Sequence, residues 1–249
     1  MRFLQFNMCG SLCNKGDVVG VVGAILNTIL SFRPDIVSLN EACLAQVDRL
    51  WTLLMQNDVT MSACLGATTG RSLCPGAEGQ RWYGNAILSM GHGIGLPEMI
   101  ELPNRPQWRE KRRVISMVTE PRGVRIHASS THLVPRDANE EYNGRQITEL
   151  ARIHNARAAS GSAVFLGGDL NATPDQITEI TSPGGHFRDV DFQYSEPTYS
   201  TSKIDYILLN RERFERLSGD ATTSSYSDHR PLRGRATFKL PAASRSVRP

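Results

Sequence analysis

The sequence predicts an α/β fold in a single domain. Strand-like apolar runs recur along the whole chain, amphipathic helical patterns interrupt them irregularly, and no Pro- or Gly-rich linker divides the chain. With 249 residues, of which 40% are hydrophobic, the chain is long enough to bury a substantial core. Because some strands follow one another without an intervening helix, the pattern is a mixed one and departs from strict βαβ alternation.

The N-terminal part alternates strand, helix, strand and helix. The predicted elements cover residues 3–8, 18–30, 35–39 and 44–56. Within 18–30, apolar residues recur at steps of three and four, which is the spacing of an amphipathic helix. Asp17 can cap the start of this helix, and Pro34 lies just beyond its end. The stretch 66–80 is rich in Gly, Thr and Ser and predicts a loop.

The remainder contains mainly strands and one long helix, predicted over 140–159. The turn sequence 121–123 indicates a hairpin between two of the strands. The predicted strands are 85–90, 114–119, 124–130, 163–166, 204–209 and 232–240. We expect one domain over 1–240, followed by a basic, flexible tail over 241–249.

Composition excludes several classes of protein. The net charge of +3 is too small to indicate a polyanion partner without local clustering. The longest apolar stretch, 18–30, is interrupted by Gly20 and Gly23 and is too short to span a bilayer. No long low-complexity tract indicates disorder. We expect a monomer without a membrane span.

Five cysteines, at 9, 13, 43, 64 and 74, form no zinc-binding spacing. Cys64 and Cys74 bracket the predicted loop, so we predict a disulfide between them. The alternative is that all five are reduced thiols, half-buried as small apolar residues. The chain begins directly with a strand pattern and shows no signal peptide. We expect a secreted protein whose leader has been removed, with a cytoplasmic location as the alternative.

Short polar clusters follow the predicted strands at six places. A single Asp or Asn after a strand is usually a turn former or a helix cap. Six such clusters exceed what turn chemistry requires, and ligands of α/β sheets bind at strand ends. The clusters are Phe6-Asn7, Leu39-Asn40-Glu41, Ser130-Thr131-His132, Gly168-Asp169-Leu170-Asn171, Ile204-Asp205-Tyr206 and Ser227-Asp228-His229.

These residue types indicate phosphoester chemistry at a hard metal ion. Glu41, Asp169 and Asp228, with the amide oxygens of Asn7 and Asn171, are oxygen donors suited to Mg²⁺, Mn²⁺ or Ca²⁺. Two histidines in the same set suggest an acid and a base acting at phosphorus. No G-x-S-x-G element and no Walker A loop are present, which disfavours a serine hydrolase and a P-loop NTPase.

The same clusters, taken in order, resemble the endonuclease/exonuclease/phosphatase superfamily of DNase I-like metal-dependent phosphohydrolases. The resemblance covers nearly the whole chain, and its most specific segments are 168–174, 203–207 and 227–231, supported by 39–41, 83–89 and 131–133. It implies a four-layer α/β sandwich in which two packed, mostly antiparallel sheets are flanked by helices. The site would then lie at one end of the sandwich.

The resemblance also implies a role for each site residue. Glu41 is similar to the main metal ligand, with Asn7 and Asp228 beside it and Mg²⁺ as the expected ion. Asp169 and Asn171 resemble the pair that orients the attacking water and the phosphate.

Two histidines complete the implied machinery. His229 resembles the imidazole on the base side, and Asp205 resembles the carboxylate that fixes its tautomer. Asp205 lies within an apolar strand, where a buried carboxylate needs a partner. His132 resembles the imidazole on the acid side, and we assign the two proton transfers to the pair as a whole.

Substrate contacts are predicted outside this set. We expect Asn85, Asn143 and Arg145 to bind substrate, with an exposed helix position as the alternative for Asn143 and Arg145. The basic run 105–113, which contains Trp108, either tracks a phosphate backbone or protects a strand edge by its charge.

We expect a divalent-metal-dependent phosphodiesterase, most closely a DNase I-like nuclease acting on nucleic acid. Thr131-His132-Leu133 replaces the Tyr-containing segment of the abasic-site endonucleases, and Asp205-Tyr206 departs from the pattern of the inositol polyphosphate 5-phosphatases. The alternative is a lipid or small-molecule phosphodiesterase or phosphatase, sphingomyelinase-like or phosphoinositide-directed. A non-catalytic binding module on the same fold is disfavoured because every site position is filled.

Overall fold

Two six-stranded sheets pack against each other, and four α-helices flank them. This computed structural model describes residues 1–77, 79–182, 185–224 and 226–239. The four-layer α/β sandwich predicted from the sequence is confirmed. The predicted tail over 241–249 lies outside the described residues. Among the described residues, no helix combines the length and apolar character needed to cross a bilayer.

The first sheet has one parallel pair at its centre. Its strands are β1 (Arg2–Asn7), β2 (Ile36–Cys43), β3 (Ser62–Gly70), β4 (Trp82–Ser89), β11 (Phe214–Ala221) and β12 (Leu232–Phe238). Their spatial order is β11-β12-β1-β2-β4-β3. In this sheet β1 and β2 run parallel, and the other neighbouring strands run antiparallel. Two consecutive parallel strands are joined by a right-handed crossover connection, which usually contains a helix.

The second sheet repeats this plan. Its strands are β5 (Gly93–Glu101), β6 (Arg113–Thr119), β7 (Ile126–His132), β8 (Ala163–Asp169), β9 (Phe187–Asp189) and β10 (Asp205–Asn210). Their spatial order is β5-β6-β7-β8-β10-β9, and β7 and β8 are its parallel pair. Since β1, β7 and β8 end in Asn7, His132 and Asp169, and Glu41 lies near the end of β2, the two parallel pairs bring these residues to one end of the sandwich.

The helices are α1 (Gly20–Phe32), α2 (Leu44–Gln56), α3 (Glu140–Ala159) and α4 (Thr178–Thr181). The bounds of α2 and α3 are those predicted. The carboxylate of Asp17 accepts hydrogen bonds from the amides of Val19 and Gly20 at 2.8 and 2.7 Å, as a cap for α1. At the other end of α1, Arg33 adopts a left-handed conformation with φ of 54° directly before Pro34.

Three apolar layers hold the sandwich together. The first packs Val22 and Ile25 of α1 against Phe6 of β1, and the second packs Leu150 of α3 against Leu166 of β8. The third lies between the sheets and contains residues from both, namely Phe3, Ile36, Ile87, Ile115, Phe165 and Ile207. Burying both faces of each sheet explains why several strands read as continuous apolar runs.

The predicted loop over 66–80 is partly wrong, because residues up to Gly70 belong to β3. This edge strand is built from small residues and pairs with β4 through its backbone. A Cβ on Gly84 would lie 2.1 Å from the carbonyl oxygen of Gly66, so this close approach of two strands requires glycine. The strands β5, β9 and β11 and the short α4 were also absent from the prediction.

The disulfide predicted between Cys64 and Cys74 is wrong. Disulfides join Cys9 to Cys13 and Cys43 to Cys74, and Cys64 is free. Cys64 lies on β3, where its sulfur contacts the sulfur of Met117 at 3.7 Å, and burial raises the pKa of its thiol to about 11. Its side chain therefore belongs to the packing between the sheets, while Cys74 turns toward Cys43 and Tyr83.

Candidate active site

A cleft of about 390 Å³ opens at the end of the sandwich where the parallel strands terminate. Asn7 ends β1, His132 ends β7 and Asp169 ends β8, while Asp205 begins the antiparallel β10 opposite Asp169. The residues lining the cleft are Leu12, Glu41, Arg71, Tyr83, Glu110, Arg112, His132, Pro135, Asp137, Asp169, Asn171, Tyr199, Ile204, Asp228 and His229.

The carboxylate of Asp169 is the centre of this cleft. It is 1% exposed, and its Oδ2 accepts a hydrogen bond from Nδ2 of Asn7 at 2.9 Å. The same oxygen lies 3.6 Å from Nε2 of His132 and 3.7 Å from Nε2 of His229. Two imidazoles, from different strands and loops, therefore face a single carboxylate oxygen.

His229 is oriented by Asp205. Its Nδ1 lies 2.7 Å from Oδ2 of Asp205, a fully buried carboxylate. Gln5 donates to the other oxygen of Asp205 at 3.3 Å, and the hydroxyl of Thr198 accepts from the Asp205 amide at 3.0 Å. This is the carboxylate–imidazole contact that fixes a tautomer and leaves Nε2 facing the cleft. The ring of Tyr199 packs against the outer face of His229, with centroids 4.8 Å apart.

Glu41 reaches the cleft through an irregularity in β2. The pairing of β2 with β4 shifts between Leu39 and Ala42, and Glu41 has a φ of 56°. An oxygen of its carboxylate accepts from Nδ2 of Asn7 at 3.1 Å. The left-handed backbone at a non-glycine residue is a strain of the kind that accumulates at functional sites. Asn7 therefore bridges the carboxylates of Glu41 and Asp169.

The loop of Asp228 is held against β1. The hydroxyl of Ser227 donates to the carbonyl of Asn7 at 2.8 Å and accepts from the amide of His229 at 3.0 Å. These contacts leave Asp228 exposed at the rim of the cleft while His229 is buried below it.

Burial and neighbouring charges give the two histidines different pKa values. Burial lowers the pKa of His132 well below its ordinary value, and the guanidinium of Arg112 lowers it further. Burial also lowers the pKa of His229, but its partner Asp205, with Asp169 and Asp228, outweighs burial and raises that pKa to about 9. The two imidazoles therefore differ in pKa, with that of His229 raised and that of His132 lowered, and the assignment of proton transfer to the pair stays a prediction.

The carboxyl of Asp169 has a raised pKa in this cleft. Burial raises the pKa of its carboxyl, the neighbouring Asp205 raises it further, and the resulting value is about 7. A buried carboxyl close to a second carboxylate resists ionisation unless a cation compensates the charge.

The donor set fits a divalent ion. One oxygen or nitrogen from each of Asp169, Asp205 and His229 lies within 4.8 Å of the others. The carboxylates of Glu41 and Asp228 line the same cleft. Oxygen donors dominate, which suits a hard cation. A grouping of Cys9 and Cys13 with Asp228 is no thiolate site, because these two cysteines form a disulfide.

Asn171 and Asn143 hold the loops around the cleft. Asn171 lines the cleft, its amide donates to Oδ1 of Asp169 at 2.9 Å, and its side chain donates to the carbonyl of Leu133 at 3.0 Å. Asn143 is fully buried and donates to the carbonyls of Val134 and Leu170. Asn143 thus joins the loops that follow β7 and β8, and its contact with substrate remains a prediction.

The other two predicted substrate contacts lie outside the cleft lining. Asn85 is 2% exposed and accepts a hydrogen bond from Asn40 at 3.0 Å, which places it beneath the cleft floor. Arg145 is exposed, stacks over the ring of Tyr142 at 4.9 Å and lies 3.5 Å from Glu141. A direct role in substrate binding remains a prediction for both.

Sequence reasoning assigned no role to Asn40, the hub of the floor. Its side-chain oxygen accepts from Gln5 at 2.6 Å and from the amide of Asp169 at 2.8 Å, and its Nδ2 donates to the carbonyl of Thr131 at 2.9 Å. Asn40 belongs to the polar cluster Leu39-Asn40-Glu41, so its position at the end of a predicted strand was the signal that could have identified it. Tyr83 lies in the segment 83–89 and Glu110 in the basic run 105–113, both noted in the sequence, whereas Arg71 and Tyr199 carried no comparable signal.

Comparison with known proteins places the chain in a family. The sequence model of the Endonuclease/Exonuclease/phosphatase family matches residues 4–229, so the chain belongs to that family. Its members are phosphoester hydrolases that typically depend on a divalent metal ion, which agrees with the acidic and histidine residues of the cleft. No curated protein matches the sequence.

Solved structures share the fold at low sequence identity. An endonuclease/exonuclease/phosphatase from Beutenbergia cavernae is 19% identical with a TM-score of 0.76, over 96% of this chain and 71% of that chain. The human Nocturnin catalytic domain with bound sulfate is 18% identical with a TM-score of 0.73, over 96% and 94% of the two chains. The Bacteroides thetaiotaomicron mannosyl-6-phosphatase is 13% identical with a TM-score of 0.69, over 96% and 100%. These similarities concern the fold.

Proposed function

We propose that this protein is a divalent-metal-dependent phosphodiesterase of the DNase I-like type, with Mg²⁺ as its ion and nucleic acid as its substrate. One observation carries the proposal: Nε2 of His132 and Nε2 of His229 lie 3.6 and 3.7 Å from the same oxygen of Asp169. Hydrolysis of a phosphodiester requires proton transfer to or from both the attacking and the departing oxygen. Two imidazoles directed at one point supply both transfers.

The residues divide the chemistry as follows. As the oxygen of the attacking water bonds to phosphorus, one imidazole of the pair His132 and His229 accepts the released proton. As the bond from phosphorus to the leaving oxygen breaks, the other imidazole donates a proton to that oxygen. Asp205 keeps His229 oriented and stabilises its charged form. A divalent ion held by Glu41, Asp169 and Asp228 would stabilise the charge that develops on the phosphate oxygens.

The walls of the cleft support a nucleic-acid substrate. Arg71 and Arg112 line one side and supply positive charge, and Tyr199, which is 40% exposed, lines the other with an aromatic ring. Guanidinium groups bind phosphates, and exposed aromatic rings stack with bases irrespective of sequence. This combination suits a chain of phosphates and bases.

We also propose that the protein functions in an oxidising compartment outside the cytoplasm. The support is the pair of disulfides, Cys9–Cys13 and Cys43–Cys74, whose first cysteines lie two residues after Asn7 and Glu41. Structural disulfides are maintained in oxidising compartments and are rare in the reducing cytosol.

The test is a substrate screen on the purified protein. Double-stranded DNA, single-stranded DNA, RNA, sphingomyelin and a phosphoinositide are each assayed with Mg²⁺, Mn²⁺ or Ca²⁺ and after exhaustive chelation. His229→Ala serves as the matched inactive protein and excludes a contaminating hydrolase. We expect cleavage of nucleic acid that needs the ion. Cleavage confined to a lipid would overturn the nucleic-acid assignment, and full turnover after chelation would overturn the metal dependence.

A further inference from the structure

Four side chains form a cluster on the side of the cleft next to His132 and Glu41. We call Arg71, Tyr83, Glu110 and Arg112 the arginine cluster. A carboxylate oxygen of Glu110 pairs with a guanidinium nitrogen of Arg71, and its other oxygen lies 3.0 Å from Nη1 of Arg112. The guanidinium of Arg71 stacks over the ring of Tyr83 at 5.1 Å. All four residues line the cleft.

The charges in this cluster are not balanced internally. Two guanidinium groups share the single carboxylate of Glu110, which leaves one positive charge in excess. The side chains of Arg112 and Glu110 are 12% and 16% exposed, so solvent screens these two charges less than that of Arg71, which is 38% exposed. Nε of Arg71 is buried and has no hydrogen-bond partner among the described residues. A donor left in this state costs free energy unless something binds to it.

The cluster is held in place by covalent and apolar contacts. Cys74, three residues after Arg71, forms the disulfide with Cys43, two residues after Glu41. Cys43, Cys74 and Tyr83 pack together as a small buried cluster of their own. The disulfide thus ties the segment of Arg71 to the strand that carries Glu41. Such restraint preorganises a binding group before the ligand arrives.

The cluster is separate from the proton-transfer groups and close to them. The guanidinium groups of Arg112 and Arg71 both lower the pKa of His132, after the larger effect of its burial, which reflects their proximity. Asp205 pairs with His229, which lies 3.7 Å from Asp169, whereas Arg71 and Arg112 pair with Glu110. A substrate with its reacting phosphate at Asp169 would place a neighbouring anionic group on the side of Arg71 and Arg112.

We infer that Arg71 and Arg112 form a second anion subsite, which binds the phosphodiester adjacent to the one that is cleaved. The inference rests on the proposed function and narrows its substrate class. The preferred substrate is a polyanionic chain with consecutive charged linkages, and an isolated phosphodiester between neutral groups is a poor substrate. Glu110 holds the two guanidinium groups side by side, and both arginines line the cleft.

The experiment compares two tetranucleotides of whichever sugar the substrate screen identifies. Both have an ordinary phosphodiester at the central linkage, and the outer linkages are either phosphodiesters or uncharged methylphosphonates. The measurement is kcat/KM for cleavage of the central bond by the wild-type protein, Arg71→Gln and Arg112→Gln. Arg109→Gln is the matched control, since Arg109 is exposed, lies in the same loop and is outside the cleft lining.

We expect the wild-type protein to prefer charged outer linkages by about tenfold or more, as for a charge-assisted contact. In Arg71→Gln and Arg112→Gln this preference, taken as the ratio of kcat/KM for the two substrates, should fall to about threefold or less. Arg109→Gln should keep the full preference. Equal cleavage of both substrates by the wild type, or an unchanged preference in both variants, would overturn the inference. Failure to cleave either one would instead contradict the proposed nuclease function.

Discussion

The imidazole of His229 and the carboxylate of Asp205 form a buried pair, with Nδ1 and Oδ2 2.7 Å apart. The pair exists because β10 begins at Asp205 and lies antiparallel to β8, which places Asp205 directly opposite Asp169. Two buried carboxylates at adjacent positions repel each other, and the His229 imidazolium lies close to both. The register of β8 and β10 therefore places beside His229 the two carboxylates that raise its pKa.

Asp205→Asn should lower both the turnover and the pKa of His229. The amide cannot stabilise the imidazolium, so the pKa of His229 in the metal-free protein should fall from about 9 toward or below its ordinary value. Loss of the orienting carboxylate should lower kcat by about a hundredfold or more. The measurements are kcat and an NMR titration of the His229 ring.

The surface pair of His186 and Glu212 supplies a matched control for this change. Nδ1 of His186 and Oε1 of Glu212 are 2.8 Å apart, but both side chains are accessible to solvent. Glu212→Gln should leave kcat and the titration of His229 unaltered. An unchanged pKa of His229 in Asp205→Asn would show that the pair is not the source of the raised value.

His132→Ala should lower kcat by about 10² to 10⁴, the usual cost of losing one proton-transfer group. His229→Ala should have an effect of the same order, and circular dichroism should show both proteins folded. The control is His92→Ala, because His92 is exposed and outside the cleft lining. If folded His132→Ala keeps more than about a third of wild-type turnover, His132 is a structural residue and the two-histidine mechanism is wrong.

The sequence predicted the elements whose apolar spacing is regular. The bounds of α2 and α3 agree with the prediction because each helix buries one stripe against its sheet. β3 and β5 were missed because they are edge strands with small or exposed residues, so backbone pairing defines them and side-chain alternation does not. These two strands are defined by their pairing in the folded protein, which the local sequence pattern does not show.

The same distinction applies to the site. Asp169 ends β8, Asp205 begins β10 and His229 lies shortly before β12, so their positions beside apolar strands indicated that they would converge. Arg71 belongs to a segment that the Cys43–Cys74 disulfide and the pairing of β3 with β4 help to bring to the cleft. Cysteine pairing cannot be deduced from spacing, and the error over Cys64 concealed this connection.

Replacing Cys43 and Cys74 together by Ser should destabilise the protein and loosen the arginine cluster. Losing a disulfide that closes a loop of this length, with a sequence separation of 31, costs about 2–4 kcal/mol of unfolding free energy. Urea unfolding measures the stability, and the two tetranucleotides measure the preference for charged linkages, which should fall. Cys64→Ser, which removes a free thiol, is the control and should keep the preference. An unchanged preference in the folded double variant would show that the disulfide does not position the anion subsite.

Asp169→Asn should abolish turnover. It should also make the free energy of unfolding decrease less as the pH rises. The carboxyl of Asp169 has a pKa of about 7 in the folded protein against an ordinary value of 3.8. Between these values the folded protein binds the proton more tightly than the unfolded chain does, so stability decreases as pH rises. The neutral amide removes this contribution. We expect urea unfolding of the metal-free proteins to show a weaker decline from pH 4 to pH 6.5 in the variant.

The chosen pH window excludes the effect of His229. Its folded pKa of about 9 exceeds its ordinary value of 6.5, so its stabilisation is complete below pH 6.5 and is lost as pH rises through 9. Addition of a divalent ion should stabilise the wild type, since a ligand that binds only the folded state shifts the unfolding equilibrium, and should stabilise Asp169→Asn much less. Asp175→Asn, at an exposed carboxylate, should behave as the wild type in both measurements. An equally steep decline with pH in Asp169→Asn would show that Asp169 is ionised in the metal-free protein, and equal stabilisation of both proteins by the ion would remove Asp169 from the metal site.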